Sequence, residues 1–264
     1  MPTRHRALLI LAALLGMAVL SLLIALAAGD LPVTAIDILR ALGGQEGGLA
    51  VEVIQGLRLP RALAAFACGG LLALAGALMQ VLLRNPLADP YVLGISGGAA
   101  VGALAAMLAG VSLALTNLAA FAGAFAAMLL VFGLAHGDNS WTRTRLLLTG
   151  VIVASGCGAT VALILSVAPE DGLRGMLFWL MGDLAHATSP GPAFAVLALG
   201  LAVTLPFARE LNLLARGDTL AQALGVSVAQ VRHGIYLLAS LLTAVAVTTA
   251  GSVGGGRCAA GRSM

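Results

Sequence analysis

Seven apolar stretches divide the chain, at about residues 7–29, 60–83, 92–110, 113–134, 146–167, 190–208 and 231–253. Each lies near the ~20 residues needed to carry a helix across a bilayer. None alternates apolar with polar side chains over ~10-residue segments, as the strands of a membrane barrel do. The pattern therefore predicts an all-α, polytopic helical membrane protein with about seven transmembrane helices. Two longer polar stretches, 30–59 and 168–189, interrupt the series.

Composition agrees with that reading. Of 264 residues, 60% are hydrophobic and 9% charged, against ~25% charged in ordinary soluble domains. The net charge of +3 rests on 14 arginines and no lysine, a bias expected of a GC-rich genome that gives no reason to expect a nucleic-acid partner. Arg4 and Arg6 precede an apolar run ending in Ala25-Leu26-Ala27, which mimics a secretion signal. Its length exceeds the ~7–15-residue core of such signals, so a retained first helix is expected. With the N-terminus inside, Arg4, Arg6, Arg84, Arg143, Arg145, Arg209, Arg216 and Arg232 fall on the cytoplasmic side, and Arg40, Arg58, Arg61 and Arg174 outside. This distribution follows the positive-inside rule.

The acidic residues and histidines all fall in loops or at span ends. An ion-coupled transporter ordinarily buries an ionisable ligand for its coupling ion, so any uphill transport here is expected to draw on a partner. No HExxH and no Ser/His arrangement occurs in the spans, and the chain has no phosphate-binding GxxxxGK[ST]. No enzyme activity, cofactor or metal is expected. Cys68, Cys157 and Cys258 have no paired or metal-like spacing and read as small hydrophobes.

Five segments carry the remaining information. In "LLRNPLADPYVLGISGG", Leu82 to Gly98, Arg84 ends a span where a cation is favoured. Pro86 and Pro90 push Asn85 and Asp89 out of helical geometry, predicting an ordered turn. Gly94, Gly98, Gly102 and Ala106 then form a small-residue stripe that admits a second helix closely. In "RGDTLAQALGVSVAQ", Arg216 to Gln230, Asp218 can N-cap a helix and Gly225 can end it. Leu220, Ala223 and Leu224 share its apolar face, and Ser227 with Gln230 reads as a capping box. So short a helix must dock, either on its own membrane domain or on an energy-supplying subunit. In "LRLPR", Leu57 to Arg61, Pro60 suits a helix start, and Arg58 and Arg61 suit either lipid phosphate or carboxylates of a partner. "GMLFWLMGDL", Gly175 to Leu184, is too short to span. It reads as an interfacial piece anchored by Trp179, or as a re-entrant helix near a pore mouth. "TGVIVASGCGAT", Thr149 to Thr160, offers small and hydroxyl residues that serve close packing or, through Thr149, Ser155 and Thr160, a pathway lining.

Together "LRLPR", "RNPLADPYVLGIS", "LFWLMGDL" and "RGDTLAQALGVSV" resemble the FecCD-type permeases of ABC importers for iron–siderophore complexes, haem and vitamin B12. The resemblance implies a roughly ten-helix fold in the bacterial inner membrane, working as a homodimer or paired with a closely related permease. It also implies two cytoplasmic ABC ATPase subunits and a periplasmic substrate-binding protein. Arg216, Asp218, Leu220, Ala221, Leu224 and Gly225 then match the ATPase-coupling segment. Arg58 and Arg61 match the arginines that meet the binding protein, and Arg84, Asn85, Pro86, Asp89, Pro90 and Gly94 match a signature cytoplasmic turn. One departure stands out. After residue 254 the family continues with further helices, whereas this chain reads "GGRCAAGRSM". The expectation is a permease domain over residues 1–253 and an aberrant, frameshifted or truncated tail over 254–264. A non-functional remnant of such a permease, or an ion-coupled transporter, are the alternative readings.

Overall fold

A computed structural model describes residues 4–45, 47–135, 143–184 and 189–251. The tail expected to be aberrant, residues 254–264, lies outside the described residues. Among these residues the secondary structure is helical. Six helices are long and apolar enough to cross a membrane, and a shorter apolar helix spans Ile95–Leu108. The chain is a multi-pass membrane protein. It divides into two compact units, residues 1–66 with 185–190, and residues 67–184 with 191–264.

The first unit contains α1 (Arg4–Ala27), α2 (Ala35–Leu42), α3 (Leu49–Val53) and the start of α4 (Leu59–Leu83). Thr34 and Asp37 form a reciprocal capping box at the start of α2. Asp37 Oδ2 accepts from the Thr34 hydroxyl at 2.6 Å and from its backbone N–H at 3.0 Å. The hydroxyl bond first, then the backbone bond, holds the Asp37 carboxyl below its ordinary value. Leu26, Ile38, Ala41, Val51 and Ile54 make a small core.

The expected helix start at Pro60 is corrected by the structure. Helix runs from Leu49 to Leu83, with a π-helical turn over Ile54–Arg58 immediately before the proline. Pro60 lacks the N–H that would bond the Gly56 carbonyl, and its ring crowds that carbonyl. The wider turn relieves both problems, with Leu59 N–H donating to Ile54 O. Upstream polar residues are thereby carried into one continuous helix.

The second unit is built around α12 (Val228–Ala250), which buries Ile235, Tyr236, Ala239, Leu242 and Val247. Its core is rich in alanine, with Ala67 and Ala75 of α4, Ala99 and Ala103 of α5 (Ile95–Leu108), and Ala120 and Ala124 of α6 (Leu113–Ala135). Small side chains let helix backbones approach in a setting where lipid supplies no hydrophobic drive for association. The expected glycine stripe finds its partner here. A Cβ on Gly98 would run into the Gly123 carbonyl of α6, and one on Gly102 into the Ala119 carbonyl. The Tyr236 hydroxyl donates to Met128 O at 2.7 Å, tying α12 to α6 inside the core.

Beyond α6 lie α7 (Arg143–Val167), α8 (Glu170–Met181), α9 (Gly191–Thr204), α10 (Ala208–Arg216) and α11 (Asp218–Ala223). The "GMLFWLM" piece belongs to α8, which buries Met176 and brings Gly175 within contact of Met107 at the end of α5. Trp179 is half-buried against the same core, so packing as well as amphipathicity positions it. Cys68 is buried with its Sγ 3.7 Å from Ala246 O, and Cys157 is half-buried. Cys258 lies outside the described residues.

Candidate functional site

The densest set of expected site residues gathers where α4 ends and α10, α11 and α12 meet. Gly217 separates α10 from α11 with φ +147° and ψ 147°, a backbone that only glycine adopts readily. The helix N-cap is therefore Gly217 and carries no side-chain bond. This corrects the expectation that Asp218 caps α11. Asp218 opens the helix, and its Oδ2 accepts from Arg232 Nη2 of α12 at 2.7 Å. Its partner lies fourteen positions along the chain, a distance at which sequence spacing carries no pairing signal.

The far end of α11 forms as expected. Gly225 takes φ +80°, its N–H donates to Gln222 O at 3.0 Å, and Val226 N–H donates to Ala221 O at 2.9 Å. These are the two bonds of a Schellman motif. Ala221 is fully buried, as is Leu214 of α10. Leu220 and Leu224, by contrast, are 44% and 53% exposed. The short helix is thus held by buried Ala221 and by the Asp218–Arg232 pair, and presents two leucines outward. The capping box expected at Ser227 is not formed. Ser227 is the N-cap of α12 but makes no side-chain bond, and its ψ of 79° departs from the extended geometry that brings a capping hydroxyl over the next turn.

The "RNPLADP" turn is ordered, as its prolines predict. Asn85 Oδ1 accepts from Leu87 N–H at 2.9 Å and Asp89 Oδ1 from Tyr91 N–H at 2.8 Å. Gln80 Nε2 donates to Pro86 O at 2.9 Å. Arg84 takes φ +51° and Gly94 φ +71°, so both ends of the turn are left-handed. The segment does not simply bridge two span ends. A Cβ on Gly76 would lie 3.9 Å from Pro90 Cδ, seven residues back from Leu83, or about 10 Å along α4 at 1.5 Å per residue. The chain folds back along α4 before α5 begins. A short 3-10 turn over Pro90–Leu93 and the Gly94 break replace the single span expected over 92–110. A Cβ on Gly94 would sit tightly, 3.2 Å from the Ala154 backbone N of α7, at a φ that side chains disfavour.

The α7 trio is split. Thr149 is buried, whereas Ser155 and Thr160 are exposed. Both exposed hydroxyls donate at 2.9 Å to carbonyls one turn back, Val151 O and Gly156 O, leaving their oxygens able to accept. A Cβ added to Gly156 or Gly158 would meet nothing within 4 Å beyond its own helix.

In the first unit the two outer arginines part company. Arg58 Nη1 donates to Leu26 O at 2.8 Å and Ala27 O at 3.4 Å, and Nη2 to Leu31 O at 2.8 Å. It satisfies the carbonyls orphaned at the end of α1. Arg61 is exposed. Both border a recess of about 490 Å³ that also includes Asp30 and Leu57. Among the described residues, no three His, Cys, Asp or Glu are grouped as metal ligands would be.

The FecCD transport family model matches residues 17–254. A cobalamin import system permease protein BtuC from Halobacterium salinarum is 37% identical over 231 residues, covering 86% of this chain and 62% of that protein. The Fe(3+) dicitrate transport system permease protein FecC of Escherichia coli is 35% identical, covering 84% and 69%. The hemin transport system permease protein HmuU of Yersinia pestis is 37% identical, covering 75% and 61%. A solved structure described as a metal-chelate type ABC transporter in an inward-facing conformation superposes with a TM-score of 0.81 at 30% identity, covering 93% of this chain and 77% of that one. Against the first of these relatives the chain spans 62% of the full length.

Proposed function

Because the chain belongs to the FecCD transport family, we propose that it forms the membrane-spanning permease part, residues 1–253, of an ATP-binding-cassette importer. Its cargo class is a metal chelate, iron–siderophore or haem, or vitamin B12; the relatives are named for cobalamin, Fe(3+) dicitrate and hemin. The observation that carries this reading is α11, a helix of six residues held by buried Ala221 that turns Leu220 and Leu224 outward. Such a knob fits a groove on a cytoplasmic ATPase as the source of energy; among the described residues no Asp or Glu is fully buried where it could hold a coupling ion. The chain itself then contributes passage and coupling, not hydrolysis.

The arginine distribution supports an inner-membrane location with a cytoplasmic N-terminus. The turn from Arg84 to Gly94 accordingly opens on the cytoplasmic side. Ser155 and Thr160, exposed on α7 beside two glycines with open space, fit a wall that a bulky solute passes in a paired permease. Alternating access, driven through α11, is the mechanism. The test is reconstitution of the permease with its ATPase and binding protein in liposomes. Uptake of chelate is expected to require ATP inside and to be indifferent to collapse of proton and sodium gradients. Uptake that follows a gradient without ATP would overturn the proposal.

Docking of a periplasmic binding protein falls to Arg61 more than to Arg58, whose guanidinium is engaged by three carbonyls. Arg61→Glu is expected to weaken binding-protein affinity at least tenfold at low ionic strength. The deficit should shrink as salt screens the surface, as read by titration in nanodiscs. Arg58→Glu is expected to lower thermal stability as well, because it removes the cap on α1 and brings an anion to those carbonyls. Equal docking by Arg61→Glu at low salt would remove it from the interface.

A further inference from the structure

Two arginines from two different spans converge on the joint between α10 and α11. On one side, Arg232 and Asp218 are paired at 2.7 Å with side chains 14% and 33% exposed, a sheltered charge-assisted bond rather than a loose surface pair. On the other, Arg84 Nη2 lies 2.7 Å from the position a Gly217 Cβ would take. Arg84 is also the one non-glycine with positive φ among the described residues. A left-handed arginine is disfavoured by its own Cβ, and such outliers persist where the surroundings hold them and cluster at sites that use them. Glycine at 217 answers two demands at once, an extended left-handed backbone and room for the guanidinium.

We infer that Arg84 and Arg232 are positioning residues that clamp the Gly217–Asp218 joint, so that α11 moves as one body with α4 and α12. This deepens the proposal that α11 receives the ATPase and rests on it. A single glycine between two short helices is a natural hinge. Left unclamped, a load on Leu220 and Leu224 would fold the joint instead of tilting the spans. The ion pair ties α11 to the most buried span of its unit, and the Arg84 guanidinium fills the space into which Gly217 would otherwise swing.

The test is a charge-reversal set in the permease assembled with its ATPase and binding protein in lipid: R232D, D218R and the exchange D218R/R232D. Two quantities are read, chelate moved per ATP hydrolysed and the rate of tryptic cleavage after Arg216, which is exposed at the joint. Each single reversal is expected to lower transport per ATP at least tenfold and to raise cleavage after Arg216 at least tenfold. The exchange is expected to return both to within threefold of the starting protein. An exchange no better than the worse single variant would overturn the clamp and leave Asp218 acting directly on the ATPase. If the exchange restores protease resistance while the unaltered assembly shows no ATP-driven uptake, the clamp stands and the importer reading fails. Where a reversal blocks assembly, R232Q reports the same two quantities. R84Q withdraws the guanidinium from Gly217 and is expected to raise cleavage likewise; an unchanged rate would remove Arg84 from the clamp.

Discussion

Gly102→Leu is expected to abolish a stable permease. A Cβ at this position collides with the Ala119 carbonyl of α6, so the side chain has no free volume even at its first atom. Extra methylenes forced into a packed core cost about 1–3 kcal/mol. Here the obstacle is backbone, and the Ala119 carbonyl cannot turn aside without breaking a hydrogen bond of its own helix. The whole α5–α6 pair would have to separate, losing Gly98 against Gly123 as well. The expected loss is therefore at or above the top of that range, and it removes most of the monodisperse fraction recovered in detergent. Gly156→Leu on α7 is the control, since a Cβ there would meet nothing within 4 Å beyond its own helix. It should leave recovery unchanged. Equal recovery of both variants would mean that the α5–α6 approach is looser than the structure has it.

Leu220→Glu with Leu224→Glu is expected to abolish capture of the ATPase while the permease stays folded. The two leucines are 44% and 53% exposed, so carboxylates there meet water in the isolated permease. In a docked state they would be buried unpaired. Truncating a central interface residue costs about 2 kcal/mol or more, and 1.4 kcal/mol is tenfold in affinity. Two such losses amount to roughly a thousandfold weaker binding, measured by titrating the ATPase onto permease in nanodiscs. Ala221→Glu should behave differently, because Ala221 is fully buried: it should destabilise the permease itself. Undiminished ATPase binding by the double leucine variant would remove α11 from the interface.

The apolar runs determined the fold class and the approximate place of most spans, because in lipid every backbone group must be satisfied within a helix and length plus composition then specify a crossing; the start at Pro60 and the stretch 92–110 are the exceptions. Local chemistry was equally legible where its partners are close in sequence. The turn held by Asn85 and Asp89 is of this kind, as is the Gly225 cap, since those bonds reach only two to five residues along the chain. The glycine stripe announced a close neighbour without saying which; that the neighbour is α6 follows from packing.

Tertiary structure decided the rest. Pro60 reads locally as a helix start, yet the surrounding core carries the helix through it by way of a π turn. Asp218 reads locally as a cap, but a guanidinium fourteen residues away competes for the carboxylate and takes it. Arg58 reads as an outward charge, and it turns instead to carbonyls more than twenty-five residues distant in the chain. Thr149, grouped by sequence with Ser155 and Thr160, is buried while both others are exposed; rotation of about 120° separates it from Ser155, but Thr160 returns to nearly the same face three turns on, so position along the span divides those two. For Asp218 and Arg58 a long-range polar demand outweighed the local reading, for Asp218 a capping preference of about 1 kcal/mol, and such demands leave no periodic mark on the sequence.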